Sequence, residues 1–325
     1  MQIWSPPAPY LTGKKGASMA KNAMVIVNPA SSNGKTRKNW PDIKKNLEKA
    51  GLEFDFAPTT CRFEATHFAR EAIKNGYETI VSVGGDGTLN EVINGFFDNG
   101  VKINQSAKLG IIPGGTGGDF IRTLGYPKDY IEACKVIARG QSQLIDLGKV
   151  DFFDHDASPI SRYFINVAGF GLDGTVVDRV NRTSKFFGGF VSFLYGTLAG
   201  VMQFKSFDLC LEVDGKPVYE GSTTVIAIAN GQFFGGGMQI APGAILDDDL
   251  FDIVIVKGMN KSRFITCLPS IYKGSHGQYP EVTFMQGRSV KASSPGRVLL
   301  EVDGEQPGIL NAEITLLPKA MHVIC

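Results

Sequence analysis

The spacing of apolar positions changes about halfway along the chain. AMVIVN (23–28) is a short β-branched run, and Trp40, Ile43, Leu47 and Ala50 then share one face of a helix. FDFAPT (54–59) reads as the next strand. Ala65, Phe68, Ala69, Ala72 and Ile73 follow at helical spacing, with Gly76 placed to end that helix. TIVSV (79–83) and LGIIP (109–113) are two further apolar runs, and each leads into glycines. Near-continuous aliphatic strands between amphipathic helices predict an α/β N-terminal domain built on a doubly wound parallel sheet. In such sheets ligands bind beyond the carboxyl ends of the strands, where both glycine turns fall.

After about residue 147 the period drops to two. Phe207, Leu209, Leu211 and Val213 alternate with polar neighbours before a turn at Asp214-Gly215. STTVIAIAN, LFDIVIVKG and RVLLEVDGE are further strands without long helices between them. The expectation is a mainly antiparallel β-sandwich as the second domain. The organisation read from the chain is a disordered extension over 1–22, a nucleotide-binding domain over 23–146 and a β-rich domain over 147–311. The segment 312–325, ending in AMHVIC, is a candidate to return to the first domain.

Composition changes this picture little. The 325 residues carry a net charge of +1, which gives no reason to expect a nucleic-acid partner. Five cysteines stand far apart without a CxxC pair, favouring reduced thiols and a cytoplasmic location. Four histidines form no HExxH-like cluster. Residues 1–22 hold no apolar run of signal-peptide length, and Met19 is an alternative start. Phe186–Phe204 is free of charge over nineteen residues, but its Ser, Tyr, Thr, Gln and four glycines favour a buried or membrane-touching helix over a span. Peripheral membrane association is compatible with it, and a homodimer is left open.

The stretch SVGGDGTLNEVINGF (82–96) carries the chemistry. Gly85 and Gly87 match a dinucleotide turn, but Asn90 replaces the third glycine, and Asp86 would face a pyrophosphate with nothing to offset its charge. A divalent cation arriving with the phosphates removes that conflict, which points to a magnesium–nucleotide site. The bland alternative is that Asp86 merely caps a helix beginning near Thr88. PGGTGGDF (113–120) repeats the design. NPASSNGKT (28–36) is no P-loop, since Pro29 stands where the first glycine belongs, yet its hydroxyls and Lys35 suit phosphate or ribose. Asp247, Asp248 and Asp249 read either as a solvated turn or as a hard-cation site. EVDGEQPG (301–308) reads from spacing alone as an Asp-Gly hairpin with Glu305 exposed.

Taken in order, NPASSNGK, VSVGGDGTLNEVINGF, IIPGGTGGDF, LIDLGKV, ANGQFFGGGMQIAPGAILDDDLFDIVIV and VDGEQP resemble the diacylglycerol kinase catalytic-domain family from about residue 23 onward. GGDGT alone is shared with NAD kinases and phosphofructokinase-like folds; the ordered set is more specific. The resemblance implies that Asn28, Ser31, Lys35 and Thr59 line a nucleotide. Gly84, Gly85, Asp86, Gly87, Thr88 and Asn90 wrap its phosphates, with Gly115 and Thr116 adding contacts. Asp86, Asp119 and Asp146 match acidic positions of the catalytic magnesium network. Asp248, with the backbone oxygens of Ile245 and Leu250, matches a structural magnesium site, and Glu305 matches the proton acceptor. Two departures stand out: Gly118 where the family usually has Asn, and Asp249 where it has Gly.

The function this implies is an ATP- and Mg2+-dependent lipid kinase, with diacylglycerol as the default acceptor and phosphatidic acid as product. Its site would lie in a cleft between the two domains, in transient contact with a membrane surface. The alternatives are an NAD kinase-like small-molecule kinase and a non-catalytic lipid-binding protein on the same fold.

Overall fold

The computed structural model describes residues 22–114, 118–171 and 206–325. The 1–21 part of the expected extension, the Phe186–Phe204 segment, and two of the proposed nucleotide contacts, Gly115 and Thr116, lie outside the described residues. The chain divides into two compact units. The first comprises the described part of Met1–Gly115, together with Asp129–Ser142 and Val323–Cys325. The second comprises the described parts of Thr116–Lys128 and Gln143–His322.

The first unit runs β1 (Ala23–Val27), α1 (Lys35–Lys49), β2 (Phe54–Pro58), α2 (Glu64–Lys74), β3 (Thr79–Gly84) and α3 (Asp86–Gly95). A two-residue hairpin, β4 (Phe97–Asp98) and β5 (Val101–Lys102), precedes β6 (Lys108–Pro113). Its strands pair in parallel in the order β2-β1-β3-β6. β1 is buried along its whole length, whereas β2 at the end of the order is half-buried throughout. The helical face foreseen for α2 packs inward through Ala65, Ala69, Ala72 and Ile73, and Gly76 follows with φ +91°. Helix α2 packs with α3, and α1 with the later α5 (Tyr130–Arg139). The C-terminal residues close on this unit, Cys325 N donating to Gln141 O at 3.0 Å.

The second unit begins with the short α4 (Asp119–Thr123) and continues mainly in strands. These are β7 (Ser142–Phe153), β8 (Pro159–Phe164), β9 (Val167–Gly171), β10 (Phe207–Val213), β11 (Lys216–Ala229), β12 (Phe233–Phe234) and β13 (Met238–Gln239). The rest are β14 (Phe251–Lys257), β15 (Val282–Gly287), β16 (Ser289–Ser293), β17 (Leu299–Val302) and the twenty-residue β18 (Glu305–Ile324). β10 pairs β11, β11 pairs β9, β9 pairs β17, β17 pairs β18, β18 pairs β16 and β16 returns to β10, all antiparallel. The sandwich is therefore a ladder closed on itself, filled by Phe164, Phe170, Leu211, Ile226, Ile253, Leu300 and Ile314. Closure follows from β18, which is long enough to serve β17 at one end and β16 further along.

One expectation fails here. A twelve-residue helix, α6 (Lys261–Tyr272), follows β14 where no long helix was foreseen. Pro269 inside it masks the helical signal, but Asn260 caps its start by accepting from Arg263 N, and Phe264, Cys267 and Ile271 make its buried stripe.

Candidate active site

In the first unit the ends of three parallel strands are tied into one floor. Asn28 N donates to Val83 O (2.9 Å), and its side-chain amide donates to Thr88 Oγ1 (2.9 Å). Ser31 Oγ donates to Asn28 O (2.9 Å) and lies 2.5 Å from Thr36 Oγ1, which donates to Gly114 O (3.2 Å). Gly114 N closes the circuit on Gly84 O (2.8 Å). Small hydroxyls and amides are needed because the space is tight: a Cβ on Gly84 would lie 2.5 Å from Thr88 Oγ1, and one on Gly114 would strike Thr36 Oγ1.

Gly85 differs. A Cβ there would meet no atom within 4 Å, and its φ of −94° suits any residue. Nothing in the described chain requires a glycine at 85, so the space in front of it suits a ligand that approaches the backbone. Gly85 is also the N-cap of α3, and no side chain caps that end. Asp86 is thus the first residue of the helix, two positions earlier than foreseen, and does not occupy the cap position. Thr88 and Asn90 are buried one turn on, where Thr88 receives Asn28 and Asn90 Oδ1 accepts from Asn94 Nδ2 at 3.3 Å. Lys35 is exposed at the start of α1, after three successive left-handed residues, Ser32, Asn33 and Gly34. Thr59 is half-buried beyond β2, its N–H on Val27 O at 2.8 Å.

In the second unit the acidic residues are held by partners far away in sequence. Asp119 opens α4 behind Gly118, whose φ of +77° explains the first departure: glycine adopts the left-handed backbone without a Cβ penalty. Asp119 Oδ2 accepts from Gly236 N (2.7 Å), and Oδ1 lies 3.8 Å from Arg122 Nε. The same guanidinium packs so closely on Gly237 that a Cβ there would lie 2.5 Å from it.

Asp146 is fully buried on β7. Its Oδ2 accepts from Asp249 N (2.8 Å) and its Oδ1 from Lys319 N (2.7 Å), while its own N–H donates to Leu246 O (2.7 Å). Burial pushes this carboxyl above its ordinary range and the two amide donors oppose the shift. Asp146 thereby holds the loop that contains Ile245, Asp248 and Leu250. In that loop Asp248 Oδ1 accepts from Leu250 N (3.1 Å), and Asp249 takes φ +64°, the left-handed backbone that a glycine would adopt more cheaply. Ile245 turns its side chain to solvent.

Glu305 opens β18 opposite Val302, after a turn in which Asp303 and Gly304 have φ +47° and +86°. It is half-buried and not the exposed residue that spacing suggested. Asp303 anchors the turn by accepting from three backbone donors, Ile165 N (3.0 Å), Asn166 N (3.0 Å) and Val167 N (3.1 Å). Glu301 accepts from Gly304 N beside it. Asn166 passes the linkage on: its side chain donates to Phe233 O (2.8 Å), and its carbonyl accepts from Asn230 N and Gly231 N. Asn230 in turn donates to Asp146 O (3.0 Å).

The structure therefore brings Asn28, Ser31, Gly84, Thr88 and their neighbours together in one unit; in the other it links Asp146 through Asn230 and Asn166 to Asp303, in the turn just before Glu305, while Asp119 is held separately on Gly236. Asp303, Asn166, Asn230 and Arg122 were not singled out from the sequence. For Asn166 and Asn230 the signal was an unexplained polar residue within or ending an apolar run, as in FINVAGF and IAIANG; Arg122, in α4, and Asp303, in its turn, carried no such mark. Among the described residues no group of three or more His, Cys, Asp or Glu side chains could hold a metal. None of the described helices is long and apolar enough to cross a membrane.

Comparison with known proteins matches residues 22–150 to the diacylglycerol kinase catalytic domain. Residues 166–325 match the YegS C-terminal NAD kinase beta sandwich-like domain. The chain is 31% identical to a diacylglycerol kinase of Bacillus subtilis (strain 168) over 94% of this chain and 96% of that one. It is 32% identical to a diacylglycerol kinase of Staphylococcus carnosus (strain TM300), with 94% and 95% covered. A crystal structure of a diacylglycerol kinase from Bacillus anthracis str. Sterne superposes with a TM-score of 0.73 at 25% identity, covering 94% of this chain and 98% of that one. Yeast NADH kinase complexed with NADH, at TM-score 0.52 and 13% identity over 93% of this chain and 82% of that one, shows a likeness of fold alone.

Proposed function

The chain belongs to the diacylglycerol kinase catalytic-domain family, and from that membership we propose that it transfers the γ-phosphate of Mg-ATP to a lipid hydroxyl, converting diacylglycerol to phosphatidic acid. The observation that carries this reading is the contrast at the first glycine turn. Gly84 is filled against Thr88, whereas Gly85, beside Asp86 at an uncapped helix start, faces open space. Helix-start amides in such a turn receive phosphate oxygens.

The nucleotide side is assigned to residues 23–146, as a doubly wound sheet, a reading supported by the parallel order β2-β1-β3-β6 and by helices paired α1 with α5 and α2 with α3. There Asn28 and Ser31 fix the floor, Lys35 offers a mobile cation to phosphate, and Thr59, Gly115 and Thr116 complete the contacts. The β-rich part, 147–311, is assigned to the lipid.

The donors fit magnesium. It takes hard oxygen ligands, and it is commonly held by one or two carboxylates together with the phosphates of the substrate, which suits a site without a full protein cage. Asp86 would hold it together with the phosphates, and bound there it would screen the charge of the transferring phosphoryl group. A second, structural magnesium suits the loop held by Asp146, through Asp248 and the carbonyls of Ile245 and Leu250. Asp146 then acts by positioning, since both of its oxygens are engaged with backbone amides.

Phosphoryl transfer passes through a loose transition state, so alignment dominates. Glu305, held by the Asp303 anchor, accepts the proton of the lipid hydroxyl as the new O–P bond forms. The test is transfer of labelled γ-phosphate from Mg-ATP into diacylglycerol in mixed micelles, with other lipid alcohols and NAD as parallel acceptors. Label in diacylglycerol, lost in Glu305→Gln while ATP still binds, is the expected result. Label in NAD alone would replace the lipid by a soluble acceptor.

A further inference from the structure

Helix α1 carries more positive charge than its own stability explains. It holds six basic side chains and two acidic ones, a balance of +4 on a chain whose whole balance is +1. Thr36, Ile43 and Leu47 are its buried side, which leaves the opposite side to solvent. At 3.6 residues per turn, Arg37, Lys38, Pro41, Lys45 and Lys49 fall within an arc of about 120°, along about 18 Å of axis. All five are exposed. Neither acid neutralises this face. Asp42, at its margin, accepts from the Tyr130 hydroxyl (3.0 Å), and Glu48 reaches Lys44 (3.9 Å). Among the described residues, Arg37, Lys38, Lys45 and Lys49 form no ion pair.

The placement runs against local helix chemistry. The first turn holds no acidic residue, and Arg37 and Lys38 stand near the helix start, where the macrodipole disfavours cations. Lys45 and Lys49 are a like-charged i, i+4 pair, which weakens a helix. Aromatic rings flank the same helix. Half-buried Trp40 packs on Phe56 of β2 with centroids 5.1 Å apart, and Lys44 Nζ stands 5.1 Å from the Phe56 ring centre. A tryptophan beside a row of cations suits the boundary between water and lipid headgroups. The row itself is too long for one small anion. It suits a partner that is extended, anionic and laterally adaptable, as the headgroup plane of an anionic bilayer is.

We infer that the outward face of α1, through Arg37, Lys38, Lys45 and Lys49, seats the protein on anionic phospholipid. The inference rests on the lipid-kinase reading, in which the acceptor lies in a bilayer and each turnover converts an uncharged lipid into an anionic one. Full-length wild type is sedimented with phosphatidylcholine vesicles, with and without phosphatidylglycerol, beside two double variants. Lys45→Gln/Lys49→Gln removes two charges from the face. Lys216→Gln/Lys257→Gln removes two exposed charges from the second unit, and so matches the first in net charge. Glutamine is a good helix former, so the melting temperature of the face variant should not fall. Wild type should bind only the vesicles that contain phosphatidylglycerol, and raised salt should release it. The face variant should bind about 25-fold more weakly, at about fivefold per lost charge, while the control pair stays close to wild type. Equal weakening by both pairs overturns the inference, since only net charge then matters, and so does unchanged binding by the face variant. Wild type that ignores the vesicles overturns it as well, and binding of duplex DNA through the same lysines would name a nucleic acid as the partner instead. Phosphate transfer from Mg-ATP to a water-soluble short-chain diacylglycerol, run in parallel, reads the kinase proposal separately. It should be unaffected in both variants; its absence from wild type would sink that proposal, and the vesicles would still decide the face.

Discussion

The two units build their functional groups in opposite ways. In the first, the floor is made of short consecutive motifs at strand ends, and Asn28, Ser31, Thr36, Gly84, Thr88 and Gly114 need only amides and hydroxyls to lock. In the second, Asp119, Asp146 and Asp303 depend on partners more than a hundred residues away: Gly236 for the first, Asp249 and Lys319 for the second, Ile165–Val167 for the third. A polar floor that parallel strands bring into register can be rigid without charge. Buried carboxylates cannot be left unpaired, so a site that uses them must also hold the network that satisfies them.

The sharpest way to test this division is to remove one carboxylate from each side. Glu305→Gln should lower kcat by about 10²–10⁴, as expected for a lost general base, with ATP affinity nearly intact. Asp86→Asn should cost on the order of 10²–10³ in rate, together with the dependence of ATP binding on magnesium. Steady-state kinetics with parallel ATP titrations separates the two. Identical profiles for the two variants would abolish the distinction.

Neighbouring glycines allow a finer cut within the first unit. Gly84→Ala drives a methyl into Thr88 and should cost about 1–3 kcal/mol of stability. Gly85→Ala has room on the protein side and a permissive φ, so its melting temperature should stay put while Mg-ATP affinity drops at least tenfold. Unaltered ATP affinity in Gly85→Ala would mean that the open space beside residue 85 is not where phosphate sits.

How much of this was legible in the sequence follows the same division. The strands at 23–28, 79–83 and 109–113 and the helix ending before Gly76 were readable because hydrophobic period and glycine chemistry act locally. The turn at Asp214-Gly215 was readable for the same reason, joining β10 to β11 with φ +49° and +75°. Helix α6 was missed because Pro269 sits in it, and tertiary burial of Phe264, Cys267 and Ile271 overrides that local penalty. The closed ladder was missed because closure depends on β18 pairing with both β17 and β16, which no local pattern specifies. Asp303 was read as turn chemistry alone, whereas its side chain works at a sequence separation of 136 to 138 residues.

That long-range anchor gives the next prediction. In Asp303→Asn one acceptor oxygen becomes an NH2 facing backbone donors, leaving at least one buried N–H unpaired. The loss should be about 2–4 kcal/mol. Hydrogen exchange localises it: peptides spanning 165–167 should lose protection while those spanning 24–30 keep theirs. Uniform loss across both would show that the two regions do not respond separately.

The smallest expected effect is a pH dependence confined to the second unit. His276 is 1% exposed, and its Nε2 lies 3.0 Å from Ile240 O. A carbonyl only accepts, so Nε2 carries the proton and Nδ1 is left as a buried lone pair without a partner. Burial pushes this imidazole below the ordinary 6.5, and the bond to Ile240 only partly opposes the shift. With the folded value depressed, the unfolded chain takes up the proton first. The stability is therefore complete above about pH 6.5 and falls as pH drops from there through the lower folded value. Asp146 and Asp252 carry the opposite sign, because burial raises their folded values and protonation favours the folded form. Their contribution is common to wild type and to a His276 variant, so comparing the two leaves the histidine's share. Melting curves of wild type and His276→Gln between pH 8 and pH 5 isolate it, since glutamine retains a donor for Ile240 O but does not titrate. The two melting temperatures should converge as pH falls, and a constant difference would remove His276 as the source of acid sensitivity.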